Sequence, residues 1–389
     1  MEPPGTTVLS VDRPETHGSP AGLRPQVLTA DGNSVLFKMT PIGTNRSPYL
    51  EDYFVYKACS SDGSQRPSLS RLPTFYSDII SFDGRPQPHN FLTTKAIGIL
   101  SCTEESFVVA ELQKTALTSE FKVNVQISGS DEWTVFDRLP VRRASGRDDM
   151  VWWTTDAVVP YRRRFLIWVD YHRGMIVADM LSCSVNNKKP SPPELRFVPL
   201  PVDMTDENPE DPEYGRGCPQ ASRSVCATHS GIKFVSVDHK ETSSFGVGKL
   251  KRWRHTFRIT TWSLRDDDYR WRREAKLHEE EFWALDTENQ LPHVRPKFPV
   301  VNMENPYAVC FLLDDTRISW GYTDTTRMIE VDMKKKVLLA STICSDDKSL
   351  SSQDTIKVAR RMSLHSSFVS SALPRYLYGG EACKKDRRQ

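Results

Sequence analysis

The residues best suited to chemistry lie in one short segment, FLIWVDYHRGMIVADML (Phe165–Leu181). Asp170, His172 and Asp179 are of the types that bind divalent metal ions or transfer protons in active sites. A metal site also needs further ligands at suitable spacing and neighbours that orient each ligand, and the surrounding sequence offers no such set. The segment is therefore open to two interpretations, a metal or acid–base site and the corner of a β-hairpin.

The hairpin is the favoured interpretation, because apolar runs flank the tetrapeptide Tyr171–Gly174 on both sides. Gly174 provides the permissive backbone that a tight turn needs, and Asp170 is suited to bond turn amides through its carboxylate. His172 is then expected at the exposed tip of the hairpin. Trp168 lies inside a continuous apolar run, so both faces of its strand are expected to be covered.

Two other patterns resemble fragments of zinc sites. Cys218, Cys226 and His229 lack the closely spaced cysteine pair of common zinc motifs. His278 precedes a run of glutamates, as at the start of a zinc-protease motif, but Phe282 stands where the second histidine must be. The sequence therefore predicts no catalytic residue, no bound metal and no cofactor.

A candidate basic docking loop lies where cations surround an aromatic residue. Its residues are Lys249, Lys251, Arg252, Trp253 and Arg254. Such interleaving can hold a nucleic-acid backbone and stack a base. The acidic run Asp266–Asp268 follows closely and can neutralise this charge. We interpret residues 246–258 as a solvated hairpin loop, with docking of an acidic protein as the second interpretation and nucleic-acid binding as the third.

Two serines are candidate phosphorylation acceptors, because a pair of arginines precedes each of them, although such short patterns are common by chance. Ser145 ends the sequence Arg-Arg-Ala-Ser in what reads as an exposed loop. Ser363 ends Arg-Arg-Met-Ser in a stretch with helical spacing. A phosphate added at either position would pair with the arginines that precede it.

The composition argues against several classes of protein. The 389 residues carry 52 basic and 50 acidic side chains, a formal net charge of +2, whereas a dedicated nucleic-acid-binding domain is usually clearly basic. The 8 cysteines are scattered and no secretion signal precedes them, so reduced thiols in a cytoplasmic or nuclear protein are expected. The longest apolar stretch is far shorter than the ~20 residues that span a bilayer, so no membrane association is expected.

Short β-branched and aromatic runs, separated by clusters of turn-forming residues, predict a mainly β fold. Hairpins are expected over residues 165–181 and 327–342. Hairpins followed by a Trp- or Phe-bearing strand are typical of propeller blades, so a β-propeller-like assembly with minor helical insertions is predicted. A large β-sandwich and an α+β fold are the alternatives. Helical spacing predicts a strand that becomes a short helix in residues 270–285, and a second helix between 354 and 373.

The domain boundaries follow from composition. Residues 1–24 are rich in Pro, Gly, Thr and Ser without periodicity and are expected to be a disordered leader. Residues 25–378 are expected to form a single β-propeller-like domain. Residues 379–389 form a basic tail.

Several segments together resemble a known family. FLIWVDYHRGMIVADML is followed by ELRFVPLP, preceded by VLTADGNSVLFKM and EDYFVYKA, and succeeded by SGIKFVSV and TTWSLRDDDYRWRREAKL. In order and spacing this set resembles the plant family known as the domain of unknown function 1618 family, which is expanded in grasses. The resemblance covers roughly residues 26–378, with the named domain near 165–300. It implies a propeller-like fold similar to domains attached to F-box proteins, and it brings no established activity or catalytic residue.

These observations predict a non-catalytic protein-interaction module whose protein partner is unknown, because rigid sheets that carry variable loops suit recognition. A nucleic-acid-associated regulator is one alternative, supported by the basic segment, although nucleic-acid binding is disfavoured by the overall charge. A hydrolase with a site in the propeller channel is the other alternative. That site would need His, Asp or Glu side chains that converge at one end of the channel.

Overall fold

The computed structural model of the chain describes residues 23–41, 52–59, 66–80, 86–88, 95–115, 118–142, 149–183, 190–201, 217–245, 251–288, 290–314 and 326–344, with Ser371, Leu373 and Tyr376. The chain divides into two compact units, with main stretches Thr7–Pro199, called the first unit, and Leu200–Ser370, called the second unit. Among the described residues, no helix has the length and apolar character needed to cross a membrane.

The first unit contains three blade-like sheets. Sheet 1 is an antiparallel meander of β1 (Leu23–Asp31), β2 (Ser34–Pro41), β3 (Asp52–Lys57) and β4 (Ser68–Arg71). A small pair follows, β5 (Tyr76–Ile80) with β6 (Pro86–Pro88). Sheet 2 is a meander of β7 (Ile97–Ser101), β8 (Phe107–Lys114), β9 (Phe121–Ile127) and β10 (Trp133–Leu139).

Sheet 3 completes the first unit and contains the hairpin predicted from the sequence. Its strands are β11 (Val141–Arg142), β12 (Ala157–Tyr161), β13 (Phe165–Asp170), β14 (Gly174–Asp179) and β15 (Leu195–Pro199). The last four form an antiparallel meander, and the two-residue β11 adds to the outer edge of β15 in parallel.

The second unit contains two further sheets. Sheet 4 consists of β16 (Arg223–Thr228), β17 (Gly231–Phe245), β18 (Lys251–Leu264) and β19 (Trp271–His278), and the helix α1 (Glu279–Trp283) follows it directly. Sheet 5 consists of β20 (Lys297–Val301), β21 (Ala308–Asp314), β22 (Thr326–Asp332) and β23 (Val337–Cys344). Both are antiparallel meanders in sequence order.

Packing of one sheet on the next explains the apolar character of the strands. Strands such as β7 and β13 are buried almost throughout, whereas β3 alternates buried and half-buried positions. A strand covered on both faces must be apolar throughout, and a strand covered on one face alternates. In the second unit, Phe282 of α1 joins the core cluster of sheets 4 and 5.

The mainly β, propeller-like fold class is therefore confirmed, with sheets that have the meander topology of blades. The hairpins over 165–181 and 327–342 are present as β13–β14 and β22–β23. The strand that becomes a short helix in residues 270–285 is present as β19 and α1. Of the predicted leader 1–24, residues 1–22 lie outside the described residues, whereas Leu23 and Arg24 begin β1. Residues 354–370 and the predicted tail 379–389 also lie outside the described residues.

Trp168 is fully buried in the core shared by sheets 2 and 3, as expected from its apolar run. Its indole Nε1 donates a hydrogen bond to the carbonyl oxygen of Ala96 at 2.7 Å. We predict that Trp168→Ala lowers the free energy of unfolding by about 3–5 kcal/mol, because burial is lost and a cavity remains. Urea unfolding followed by circular dichroism measures this loss.

The matched control is Trp152→Ala, since the side chain of Trp152 is 50% exposed. This control should lower the free energy of unfolding clearly less than Trp168→Ala does, because about half of the Trp152 surface already contacts water in the folded protein. Equal effects of the two substitutions would contradict the packing described here.

Candidate functional site

The structure separates the three polar side chains of the 165–181 segment. Asp170 pairs with Gly174 at the turn end of the hairpin, and Asp179 pairs with Phe165 at the opposite end. Five residue steps along a strand span about 17 Å, so one metal ion cannot contact both carboxylates. The β-hairpin interpretation is therefore confirmed.

Asp170 is a structural carboxylate that joins the turn to the chain before it. Its side chain is completely buried and accepts hydrogen bonds from the backbone N–H groups of Thr154 and His172, each at 3.0 Å. Arg173 Nη1 lies 3.2 Å from the same carboxylate. Asp156 bonds the backbone N–H of Tyr171 at 2.9 Å in the same way.

Two details predicted for this turn are wrong. His172 was expected at an exposed tip but is only 7% exposed, because the carboxylates of Asp156 and Asp170 hold the turn against residues 154–156. Gly174 does not have the left-handed backbone of a turn glycine. A Cβ atom there would lie 2.5 Å from the Phe197 ring and 2.6 Å from the carbonyl oxygen of Val198, so close approach of β15 is what requires glycine.

The residues of the two zinc-like patterns have other surroundings. Cys226 is buried in β16, Cys218 is exposed, and His229 Nδ1 lies 3.3 Å from the carbonyl oxygen of Met303. His278 is the N-cap of α1, and Phe282 packs in the core. Within the ranges that the structure describes, no three His, Cys, Asp or Glu side chains form a group that could hold a metal ion.

Burial controls the chemistry of the described cysteines. It raises the pKa of Cys102 and of Cys183 to about 11, and that of Cys310 to about 12, because a thiolate loses its hydration in an apolar interior. Burial likewise raises the pKa of Cys226. These thiols are therefore protonated at neutral pH and poor nucleophiles.

A long β-ribbon is the most prominent candidate surface for binding. β16 pairs with β17 only as far as Ser236, and β19 pairs with β18 only from Arg258 onward. Residues 239–245 and 251–257 nevertheless continue to pair with each other. This two-stranded segment, which we call the ribbon, extends about 20 Å beyond the last pairing with β16 and β19. No other strand among the described residues pairs with it.

The register divides the ribbon into two faces, because residues directly opposite each other share a face and successive residues alternate. One face carries Lys240, Thr242, Ser244, Arg252, Arg254 and Thr256. It has three cations and no acid, and we call it the cationic face. The other face carries His239, Glu241, Ser243, Phe245, Lys251, Trp253, His255 and Phe257.

The base of the ribbon is anchored in the second unit through Phe257, and an ion pair across β17 and β18 joins its two strands. Phe257 is 6% exposed, and its ring packs edge-on against Phe282 and Trp283 at centroid distances of 5.5 and 5.9 Å. On the cationic side, Arg258 Nη2 lies 3.0 Å from a carboxylate oxygen of Asp238. The ribbon therefore starts from a rigid base.

The segment predicted as a basic docking loop is mostly a β-strand in the structure. Lys251, Arg252, Trp253 and Arg254 lie in β18 and not in a loop, because β17 pairs with this stretch residue by residue. Lys249, like Ser145 and Ser363, lies outside the described residues.

Sequence reasoning missed Lys240, which β17 contributes to the cationic face opposite Thr256. The position of Lys240 on this face follows only from the pairing of β17 with β18, since Lys240 and Arg254 lie on different strands. The alternation of residue types in HKETSSF, residues 239–245, was the available signal.

The buried carboxylate of Asp170 generates a stability prediction. Asp170→Asn should lower the free energy of unfolding by about 2–4 kcal/mol, because the amide loses the charge opposite Arg173 and cannot accept both backbone hydrogen bonds. Thermal and urea unfolding of both proteins measure the difference.

Asp179→Asn is the control, because the side chains of Asp179 and Arg164 are 31% and 48% exposed. Partial burial opposes ionisation, but hydrogen bonds from Arg164 and Leu181 lower the pKa of Asp179 overall. Its small contribution, below about 1 kcal/mol, is therefore present above pH ~4 and lost as the pH falls further. A control loss as large as that of Asp170→Asn would refute the assignment.

The raised thiol pKa values predict selective alkylation. A thiol of pKa 11 is only ~0.1% ionised at pH 8, so Cys218, which is exposed, should react with iodoacetamide at least about 100-fold faster than Cys102, Cys183 or Cys310. Mass spectrometry of labelled peptides measures each rate, and urea-unfolded protein provides the reference. Similar native rates would contradict the burial of these thiols.

Comparison with known proteins gives limited information on function. A search of curated proteins returned no match. Among solved structures 18 chains match, and one is a crystal structure of a proposed 6-phosphogluconolactonase from Bacteroides uniformis. It is 8% identical with a TM-score of 0.28, over 82% of this chain and 96% of that chain. Another is the tail fibre of Staphylococcus aureus phage P68, 10% identical with a TM-score of 0.14, over 82% and 63%. Similarities this low carry no argument.

The comparison with family models is more informative. Its match runs from Trp168 in β13 to Cys310 in β21 and includes the hairpin turn and the ribbon. The family resemblance seen in the sequence is therefore confirmed: residues 168–310 match the family described as protein of unknown function (DUF1618).

Proposed function

We propose that the protein is a non-catalytic interaction module that docks an acidic segment of a protein partner on the cationic face of the ribbon. The observation that carries this proposal is the register of β17 with β18, which brings Lys240, Arg252 and Arg254 to one face without an acid. The anchored base supports it, since a preformed surface costs less ordering when a partner binds.

The spacing of the cations suits an extended acidic peptide. Arg252 and Arg254 are two residues apart on one strand, which separates them by about 6.8 Å. Alternate side chains of an extended peptide have the same repeat, so carboxylates at every second position can meet both arginines. Such complementarity at an exposed surface favours fast association and selectivity more than high affinity.

Nucleic acid is the competing occupant, because a two-stranded β-ribbon fits the major groove of DNA and cations contact phosphates. Lys240, Lys251, Arg252 and Arg254 against Glu241 leave the ribbon with a charge of about +3, close to the +2 of the whole chain. The remainder of the protein is therefore nearly neutral and adds little attraction for a polyanion. This balance favours a short acidic protein segment.

The test uses the full-length protein and a variant with Lys240, Arg252 and Arg254 replaced by Gln. The probe is a fluorescent 12-residue peptide in which glutamate alternates with serine, measured by anisotropy across a salt series. Wild type should bind this peptide, and the variant should bind it roughly 10-fold more weakly at low salt, since exposed ion pairs contribute modestly and add together.

A second triple variant provides the matched control. Arg272→Gln, Arg273→Gln and Lys335→Gln remove the same charge from exposed positions of the second unit outside the ribbon. This control should keep wild-type affinity. Equal losses in both variants, or no peptide binding by wild type, would refute the proposal. Tighter binding of duplex DNA or RNA, lost only in the ribbon variant, would replace it with the nucleic-acid regulator.

A further inference from the structure

A cleft of about 560 Å³ opens in the first unit, where sheet 1 faces sheet 2. Its floor includes the apolar residues Ala58, Leu72 and Phe107, all of them buried. Its walls are polar and are lined by Lys57, Arg66, Ser68, Ser70, Arg71, Glu105, Gln126, Ser128, Ser130 and Asp131. This volume lies within the usual range of ligand-binding pockets, roughly 300–1,000 Å³.

The charges of the cleft do not select a small free anion. Its three cations are Lys57, Arg66 and Arg71, and its two acids are Glu105 and Asp131. Arg71 already bonds Asp52 at 2.6 Å, and the buried Lys57 ammonium donates to the carbonyl oxygen of Glu104. Desolvation by burial also lowers the pKa of Lys57. Little net positive potential therefore remains for a phosphate or carboxylate to exploit.

The edge of β4 offers unpaired backbone groups beside this cleft. Leu72 donates its backbone N–H to the carbonyl oxygen of Tyr53 at 2.8 Å, and residues of an antiparallel strand alternate in bonding toward the partner. The backbone groups of Leu69 and Arg71 consequently point away from β3. β4 is the last strand of sheet 1, and no described strand pairs with its outer edge. The Leu69 side chain is 60% exposed.

Gln126 provides a second, independent indication of a ligand. Its residue is only 2% exposed, and its Nε2 donates to the carbonyl oxygen of Ser130 at 2.6 Å. That bond fixes the amide orientation, because a flipped amide would place two oxygens against each other. The Oε1 atom has no hydrogen-bond partner among the described residues, which is unfavourable in a buried position. A donor that enters the cleft relieves this cost.

We propose that the cleft is a second docking site, which binds an extended peptide segment of a protein partner alongside β4. A peptide backbone alternates N–H donors with C=O acceptors and carries no charge, which matches the edge of β4, the serine hydroxyls and the Gln126 amide. Addition of a strand to a free sheet edge supplies affinity, and pockets for alternate side chains supply specificity. The site differs from the ribbon, which belongs to the second unit.

The exposed charges at the rim define the peptide further. Arg66 and Asp131 are exposed and form no ion pair with a described residue. The peptide that fits best therefore carries an acidic residue that meets Arg66 and a basic residue that meets Asp131. An apolar side chain between them covers the floor at Leu72 and Phe107.

The test selects heptapeptides from a random phage-displayed library on the intact protein and measures the synthesised peptides by anisotropy. Leu69→Pro removes a backbone N–H that β3 does not use, and proline is tolerated on an edge strand. Leu69→Ala is the matched control, because it shortens the side chain but keeps the N–H. We expect Leu69→Pro to bind the selected peptides roughly 10-fold more weakly than Leu69→Ala.

A charge exchange tests the rim, and hydrogen exchange tests the edge. Arg66→Asp combined with Asp131→Arg should weaken the binding of the selected peptides, whereas the triple ribbon variant should bind them normally.

The amides of Leu69 and Arg71 should exchange rapidly in the free protein and slowly with bound peptide. Equal binding by Leu69→Pro and Leu69→Ala would overturn the proposal. So would failure to enrich any peptide, or slow exchange in the free protein, since another segment of the chain would then cover the edge.

Discussion

The first unit depends on the coverage of both faces of its inner strands. Leu166, Ile167, Trp168 and Val169 follow one another in β13, and each is completely buried. Adjacent residues point to opposite faces of a sheet, so this run requires apolar neighbours on both sides. The indole of Trp168 bonds the backbone of Ala96, 72 residues earlier in the chain. Sheets 2 and 3 are therefore joined by a directional contact within a packed interior.

Burial on both faces makes every enclosed polar group costly unless it is bonded. Several of the enclosed polar groups are paired with one another. Glu111 is fully buried and accepts a hydrogen bond from Asn124 Nδ2 at 2.9 Å. In sheet 4, Lys233 Nζ lies 2.7 Å from both carboxylate oxygens of Glu274. Glu274 is the extra residue of a bulge in β19, and the bulge redirects its side chain.

The sequence predicts this fold well where the signal is local. Continuous apolar runs and turn residues identified the hairpins, and helical spacing within residues 270–285 identified a short helix, α1, which follows β19. The errors arose where contacts with residues far away in the sequence determine the local structure. His172 is covered because Asp156 holds the turn, and Gly174 is required because β15 approaches it closely. The cationic face depends on a register that no single strand reveals, and the cleft depends on how two sheets face each other.

The ribbon has a consequence for how this protein diversifies. Beyond Asp238 and Arg258, neither of its strands pairs with β16 or β19, so the pairing that builds the four-stranded part of sheet 4 stops at the base of the ribbon. Substitutions along the ribbon beyond its base should therefore have little effect on the stability of the fold, whereas substitutions at Phe257, which packs in the core, should reduce it. Descendants of one gene can accumulate different residues on this surface while their cores stay the same. Changes of residue type on this surface can then occur without the loss of stability that usually accompanies substitution in a core.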